Sequence, residues 1–393
     1  MQMNKWLKVV IGLLVLLGGV YYVVTITVPV NMDKGFNSVA NHPPFTVSNQ
    51  AKELYNSLDF VSDWHCDVLL WKRNILEKHD YGHVDIPRMI EANIGIEGFT
   101  IVTKSPKNLN FDKNTGDSDD ITGLFIAQGR APKTWFNLTN RAVDQCNRLK
   151  GFAKKSNGIF RVIASQTDLK KYLHERSVNK KITAGFLGVE GAHALEGDLK
   201  NVQVLFDAGV RMMGPVHFFD NKLGASAHGV SHGGITDFGK QVIKEMERLG
   251  MIVDLSHASP ALIDDIFEFA VRPVVYSHTG VKGTCNNVRN ASDKHLKKVA
   301  GLNGLIAIAM FEKADCGSQA SATAAAIKYA VEIAGISHVA LGSDFDGAIE
   351  CHFDITGLPL IVDELLKLGF TETQIRMVMS ENSKRFLLEN LPE

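Results

Sequence analysis

The chain has 393 residues, with 42 Lys and Arg against 43 Asp and Glu for a net charge of −1. A hydrophobic fraction of 45% and a charged fraction of 22% fit a globular protein of one or two domains and exclude disordered, collagen-like and coiled-coil chains. There is no clustered positive charge to make a nucleic-acid footprint, and five Cys with no CxxC make neither a disulfide scaffold nor a thiolate zinc site.

From Val9 to Met32 no residue is charged, and about 20 apolar residues suffice for a membrane-crossing helix. Lys5 and Lys8 precede the run, which keeps the N-terminus in the cytoplasm and exports the bulk of the chain. A cleaved signal peptide and a buried core helix are the competing readings. The run is longer than an ordinary signal h-region, no A-x-A site follows it, and a core helix rarely lacks a polar face. The expected organisation is therefore an uncleaved anchor or signal segment over 1–32, a linker over 33–50 marked by His42-Pro43-Pro44, and one domain over 51–393.

Eight short apolar runs bounded by turn residues follow. They are Leu58–Ser62, Ile94–Thr103, Ala184–Val189, Val210–Val216, Met251–Leu255, Pro273–Tyr276, Leu305–Met310 and His338–Leu341. Amphipathic helices separate most of them, such as Asp237–Leu249 and Ala322–Ala334, and a capping box at Thr371–Gln374 opens a helix to Leu388. Strand–helix alternation of this kind predicts a parallel sheet, and eight repeats suit an α/β fold of the (β/α)8, TIM-like barrel type. His, Asp or Glu residues follow the apolar part of six runs. A barrel gathers those carboxyl ends at one mouth, where catalysis sits; an open sheet would spread them along a line. The polar stretch Lys104–Lys133 is either a wall, lid or subunit contact on that face, or a solvated loop.

His65 and Asp67 form His-x-Asp at the first strand end, where i and i+2 share a face and can hold one ion. Alone the motif is common and fits an ordinary polar strand end. Glu190 follows the third run, and a carboxylate facing a barrel mouth needs a partner or a cation; taken by itself, a salt bridge to an Arg explains it better. His257 and His278 end two consecutive runs, and each singly could be a hydrogen-bonded core histidine. Together, three His and two carboxylates on one rim exceed what a single tetrahedral zinc requires. They fit two ions bridged by one carboxylate, with Glu190 as the bridge because its strand lies between the others in chain order.

These residues resemble the membrane dipeptidases (the renal dipeptidase family), zinc peptidases related to the amidohydrolase barrels. The similarity runs through DWHCD, GVEGAHAL, VHFFDN, GMIVDLSHAS, PVVYSHTG, VRNASD and GSDFDG in the family's order. The resemblance implies two Zn2+ ions per subunit. His65 and Asp67 would ligate the first ion and His257 and His278 the second, with Glu190 bridging. It further implies that His217 contacts the substrate and stabilises the oxyanion, that Arg289 pairs with the substrate carboxylate, and that Asp344 is the catalytic acid–base. The implied reaction is hydrolysis of dipeptides by a hydroxide bridging the metals, and the family suggests a homodimer. The N-terminal helix lies outside the resemblance; as an anchor preceded by Lys5 and Lys8 it would place the domain in the periplasm or outside the cell. Cys66 stands where the family more often has Asn. Read without the resemblance, Arg289 also suits a surface residue at a helix start, and the GSDFDG turn leaves Asp344 and Asp346 undistinguished. Two other readings stay open at this level: a different binuclear amidohydrolase (lactonase, phosphotriesterase or deaminase type), whose first strand usually carries HxH, and a catalytically silent membrane-tethered binding protein.

Overall fold

The computed structural model describes residues 4–393. Its strands are β1 Val61–Cys66, β2 Ile94–Phe99, β3 Phe160–Val162, β4 Thr183–Val189, β5 Val210–Met213, β6 Ile252–Asp254, β7 Val274–Thr279, β8 Leu305–Ile308 and β9 Val339–Leu341. Eight of them, in the order β1-β2-β4-β5-β6-β7-β8-β9, form the wall of a TIM-like barrel, and every one of those pairings is parallel. The wall nearly closes between β9 and β1. There the Asp63 carboxylate accepts from Ser343 N at 2.7 Å, and Asp67 N donates to Phe345 O at 2.8 Å.

Each of the eight apolar runs carries one wall strand. Strands covered on both faces read as continuous apolar stretches, and β4 and β7 are buried at every position. The ninth strand, β3, is only Phe-Arg-Val, too short and polar to register as a run. It pairs with the first half of β4, from Thr183 to Gly185, before β5 begins its own pairing at Leu187.

The outer helices obey ordinary signals. Asp237–Leu249 is capped by Thr236, which accepts from Gly239 N, and ends on Gly250 at φ +76, the left-handed conformation that glycine adopts at least cost. It turns Val242, Ile243 and Met246 onto the barrel. The capping box at Thr371 is present, but its helix is interrupted by a π-turn at Met377–Glu381 before continuing over Asn382–Asn390.

One finding corrects the sequence-based expectations. The apolar segment forms helix α1 (Lys5–Tyr22), a π-turn (Val23–Thr27) and helix α2 (Val28–Phe36), so helix runs past the expected anchor boundary. The stretch expected as a linker is docked onto the barrel. Thr25, Pro29, Asp33 and Asn37 are buried, four apart and hence on one stripe, and Val39 bridges to Cys351. A single disulfide joins Cys285 and Cys316, one link in a chain whose cysteine count argued only against a disulfide scaffold.

Candidate active site

The eight expected residues lie at the carboxyl end of the barrel. β1 carries His65, and Asp67 follows just beyond its last residue. Glu190 comes directly after β4, and His278 lies within β7. His217 and His257 sit in the loops after β5 and β6, Arg289 in the loop after β7, and Asp344 after β9. His257 and Asp344 have φ of 64° and 67°, left-handed positions that cost a non-glycine residue about 1–2 kcal/mol. Such strain persists where surrounding structure enforces it, and it gathers at functional sites. Gly191 has φ +93, and a Cβ there would lie 2.4 Å from His193 Cε1 and 3.0 Å from His217 Cβ. Only glycine allows the chain to turn Glu190 inward beside two histidines.

Four imidazoles point Nε2 at the Glu190 carboxylate. The distances are 3.6 Å for His65, 2.8 Å for His257 and 3.2 Å for His278 to Oε1, and 3.3 Å for His217 to Oε2. His65 Nε2 also lies 3.6 Å from Asp67 Oδ1 and 3.9 Å from Asp344 Oδ1. Ligand atoms of His65, Glu190 and His278, of Glu190, His217 and His257, and of His65, Asp67 and Asp344 lie within 4.8 Å of one another. His65 Nε2 and Glu190 Oε1 are buried without a hydrogen-bond partner, which is costly unless a further group joins them.

A hydroxyl beneath the cluster sets the form of two imidazoles. Ser277 Oγ donates to Asp254 Oδ2 at 2.6 Å and lies 2.9 Å from both His65 Nδ1 and His278 Nδ1. A serine has one proton to give and two lone pairs. With the proton on Asp254, both histidines donate Nδ1–H to Ser277, and both Nε2 lone pairs face the cluster. Asp67 is oriented in the same manner by Thr100, whose hydroxyl donates to Oδ1 at 2.6 Å.

The electrostatics point to missing positive charge. Burial, reinforced by Asp67, pushes Glu190 up to about 7, and burial with the neighbouring carboxylates raises Asp344 well above its usual range. Burial holds His217, His257 and His278 far below theirs, in the neutral form that ligates metals. His65 is the exception: burial opposes its charge, but Glu190 and Asp67 outweigh burial and raise its pKa above the usual range, a pull that a cation at Nε2 would satisfy in place of a proton. Cations among these groups would remove both imbalances. A mixed imidazole–carboxylate donor set suits zinc.

Arg289 is buried rather than on the surface. Its Nη2 donates to His278 O at 2.6 Å, while Nη1 has no partner. Asp344 and Asp346 part company: Asp346 turns away to pair with Arg73 and accept from His83 N at 2.8 Å and Val84 N at 3.1 Å. Cys66 is buried with its thiol toward Asp346. His193 is buried with both ring nitrogens unpartnered and its ring 4.9 Å from that of Phe219. His228, which no strand-end pattern singles out, lines the cavity beside these residues and bonds Phe111 O through Nδ1. The segment 104–133 contributes a wall: its helix α3 (Ile121–Ala127) lines the same cavity of about 600 Å³.

The family model described as membrane dipeptidase (peptidase family M19) matches residues 48–390. The chain is 27% identical over 352 residues to dipeptidase aclJ of Aspergillus oryzae, across 83% of this chain and 77% of the relative. It is 25% identical over 317 residues to dipeptidase tcpJ of Claviceps purpurea, across 78% and 69%. A metallo peptidase from Rhodobacter sphaeroides, solved with a phosphinate mimic of the dipeptide L-Ala-D-Ala, has the same fold, with a TM-score of 0.69 at 22% identity over 85% of this chain and 100% of that one.

Proposed function

The chain belongs to the membrane dipeptidase family and is a metallopeptidase, and on that premise we propose that it is a binuclear zinc dipeptidase acting outside the cytoplasm. The observation that carries this reading is the convergence of four imidazole Nε2 atoms on one carboxylate, at 2.8–3.6 Å. His65 and Asp67 would hold one ion, His257 and His278 the other, and Glu190 both. Zinc in such a site supplies Lewis-acid chemistry, polarising the scissile carbonyl and bringing the pKa of the attacking water from 15.7 to about 7.

The remaining work falls to protein groups. Asp344, 3.9 Å from His65 through Oδ1, takes the proton of the attacking water and delivers it to the leaving amine nitrogen. His217 donates from Nε2 to the developing oxyanion, a contribution of about 3 kcal/mol for one well-placed donor. Arg289, fixed through Nη2, offers its free Nη1 to the terminal carboxylate of the substrate. A carboxylate anchor at a set distance from the reacting carbonyl limits the substrate to two residues.

The helical segment Lys5–Phe36 is long and apolar enough to cross a membrane. Its 32 residues would extend about 48 Å, more than the roughly 30 Å hydrocarbon core, so its docked end stands outside the bilayer. Lys5 and Lys8 orient it with the barrel exported, where the Cys285–Cys316 disulfide is stable. Retention of the segment fits the buried pairing of Asp33 with Arg73 at 2.8 Å.

The test is hydrolysis by the full-length chain in detergent. Simple dipeptides are cleaved, exhaustive chelation abolishes turnover and zinc restores it. Asp344→Asn keeps its zinc and lowers kcat by about 10²–10⁴-fold. Turnover of lactones or phosphotriesters with none of dipeptides would overturn the reading.

A further inference from the structure

The helix that leaves the apolar segment is a wall of the catalytic cleft. Val28, Met32 and Phe36 line the same cavity as His217, Arg289 and Asp344. They recur every four residues and so form one stripe of α2. All three lie outside residues 48–390, so this wall belongs to the present chain and not to the family's common domain. Met32 packs on the apolar cluster of Leu70, Trp71, Val102, Ile121 and Leu124, and the Phe36 ring stacks on Trp71 with centroids 6.3 Å apart.

The neighbouring stripe of the helix holds this wall in place. Asp33 accepts from Arg73 Nε at 2.8 Å and from Asn37 Nδ2 at 2.8 Å, while Asn37 Oδ1 accepts from Ala348 N at 3.0 Å. Arg73 continues to Asp346, on the turn that carries Asp344. Lys72 Nζ takes the Thr25 carbonyl at 2.5 Å in the π-turn, where helical bonding is irregular. The position of Met32 and Phe36 over the cleft is thus set by buried polar contacts.

The polar groups His217, Arg289 and Asp344 line one part of the cavity. Toward α2 and α3 its lining is mainly apolar, with Met32, Leu70, Trp71, Ile121 and Leu124, and Phe36 still exposes 50% of its surface. Apolar surface left open beside a reaction centre is stabilised by an apolar part of the substrate. Arg289 and Lys313 stand on the β7–β8 side of the mouth, whereas α2 stands beside Leu70 and Trp71, after β1.

We propose that α2 forms an apolar subsite for the substrate's amino-terminal side chain, selecting dipeptides that begin with a large aromatic or branched aliphatic residue. This rests on the dipeptidase reading, in which Arg289 holds the carboxylate end and sends the amino-terminal residue toward α2.

The measurement is the ratio of kcat/KM for Phe-Ala to that for Gly-Ala, with the full-length chain in detergent and zinc present. Hydrophobic pockets discriminate by about 10–200-fold for a small apolar group, so the wild type favours Phe-Ala by at least about tenfold. Met32→Gln and Phe36→Ser each lower that ratio several-fold, while Asn31→Ala, on the exposed side of α2, leaves it unchanged. Phe36 is half exposed, so its replacement tests the wall without threatening the fold. A wild-type ratio near one, or a ratio unmoved by both variants, overturns the subsite alone. Failure to cleave either dipeptide overturns the dipeptidase reading and the subsite with it.

Discussion

Ser277 shows how much of the site's chemistry rests on residues that never touch a reactant. Its single proton goes to Asp254, so its lone pairs hold two Nδ1–H groups and the two Nε2 atoms face inward. Ser277→Ala removes that constraint and is expected to lower zinc affinity by about 10–100-fold. Competition against a chromophoric chelator measures this, and an unchanged affinity would refute the tautomer argument. Candidate metal-ligand side chains are legible in sequence because their residue types are few and fall at strand ends, as with His65, Glu190 and His278. Supporting hydroxyls have no such signature, and Ser277 reads as one more residue of YSHT. His228 escapes for another reason: it lies well beyond the end of β5, in a loop where strand register says nothing about direction. GSDFDG is ambiguous for a backbone reason. Asp344 and Asp346 both have positive φ, 67° and 62°, so the rule that i and i+2 share a face fails. One faces His65 and the other Arg73.

The docking of α2 depends on charges removed from water. Arg73 is buried between Asp33 and Asp346, and taking away one partner of such a group leaves uncompensated buried charge. Arg73→Met is expected to destabilise the protein by about 3–5 kcal/mol, read from guanidinium unfolding of the full-length chain. A loss below about 1 kcal/mol would mean that the helix is held by apolar contacts alone. Sequence could not distinguish a docked helix from a linker here. Asp33 and Asn37 are polar in either case, and the partner that buries Asp33 is 40 residues away. The disulfide was hidden similarly: five cysteines do not reveal which two meet, and Cys285 and Cys316 are joined across two strand-end loops, 31 residues apart.

The barrel as an assembly was the most legible feature, because its strands are covered on both faces and read as uninterrupted apolar runs. Closure explains why residues from His65 to Asp344 share one mouth: parallel strands in a ring carry all their carboxyl ends to the same side. What fills the mouth was not legible, since segment 104–133 and the N-terminal helix have no strand periodicity to place them. The account depends on that mouth holding two cations around Glu190. Zinc content and dipeptide turnover should therefore be followed on one sample of full-length chain through exhaustive chelation and stepwise return of zinc. Two equivalents are expected at saturation, with turnover rising as they return, and Glu190→Ala failing to retain both. Undiminished turnover in the chelated protein would contradict this.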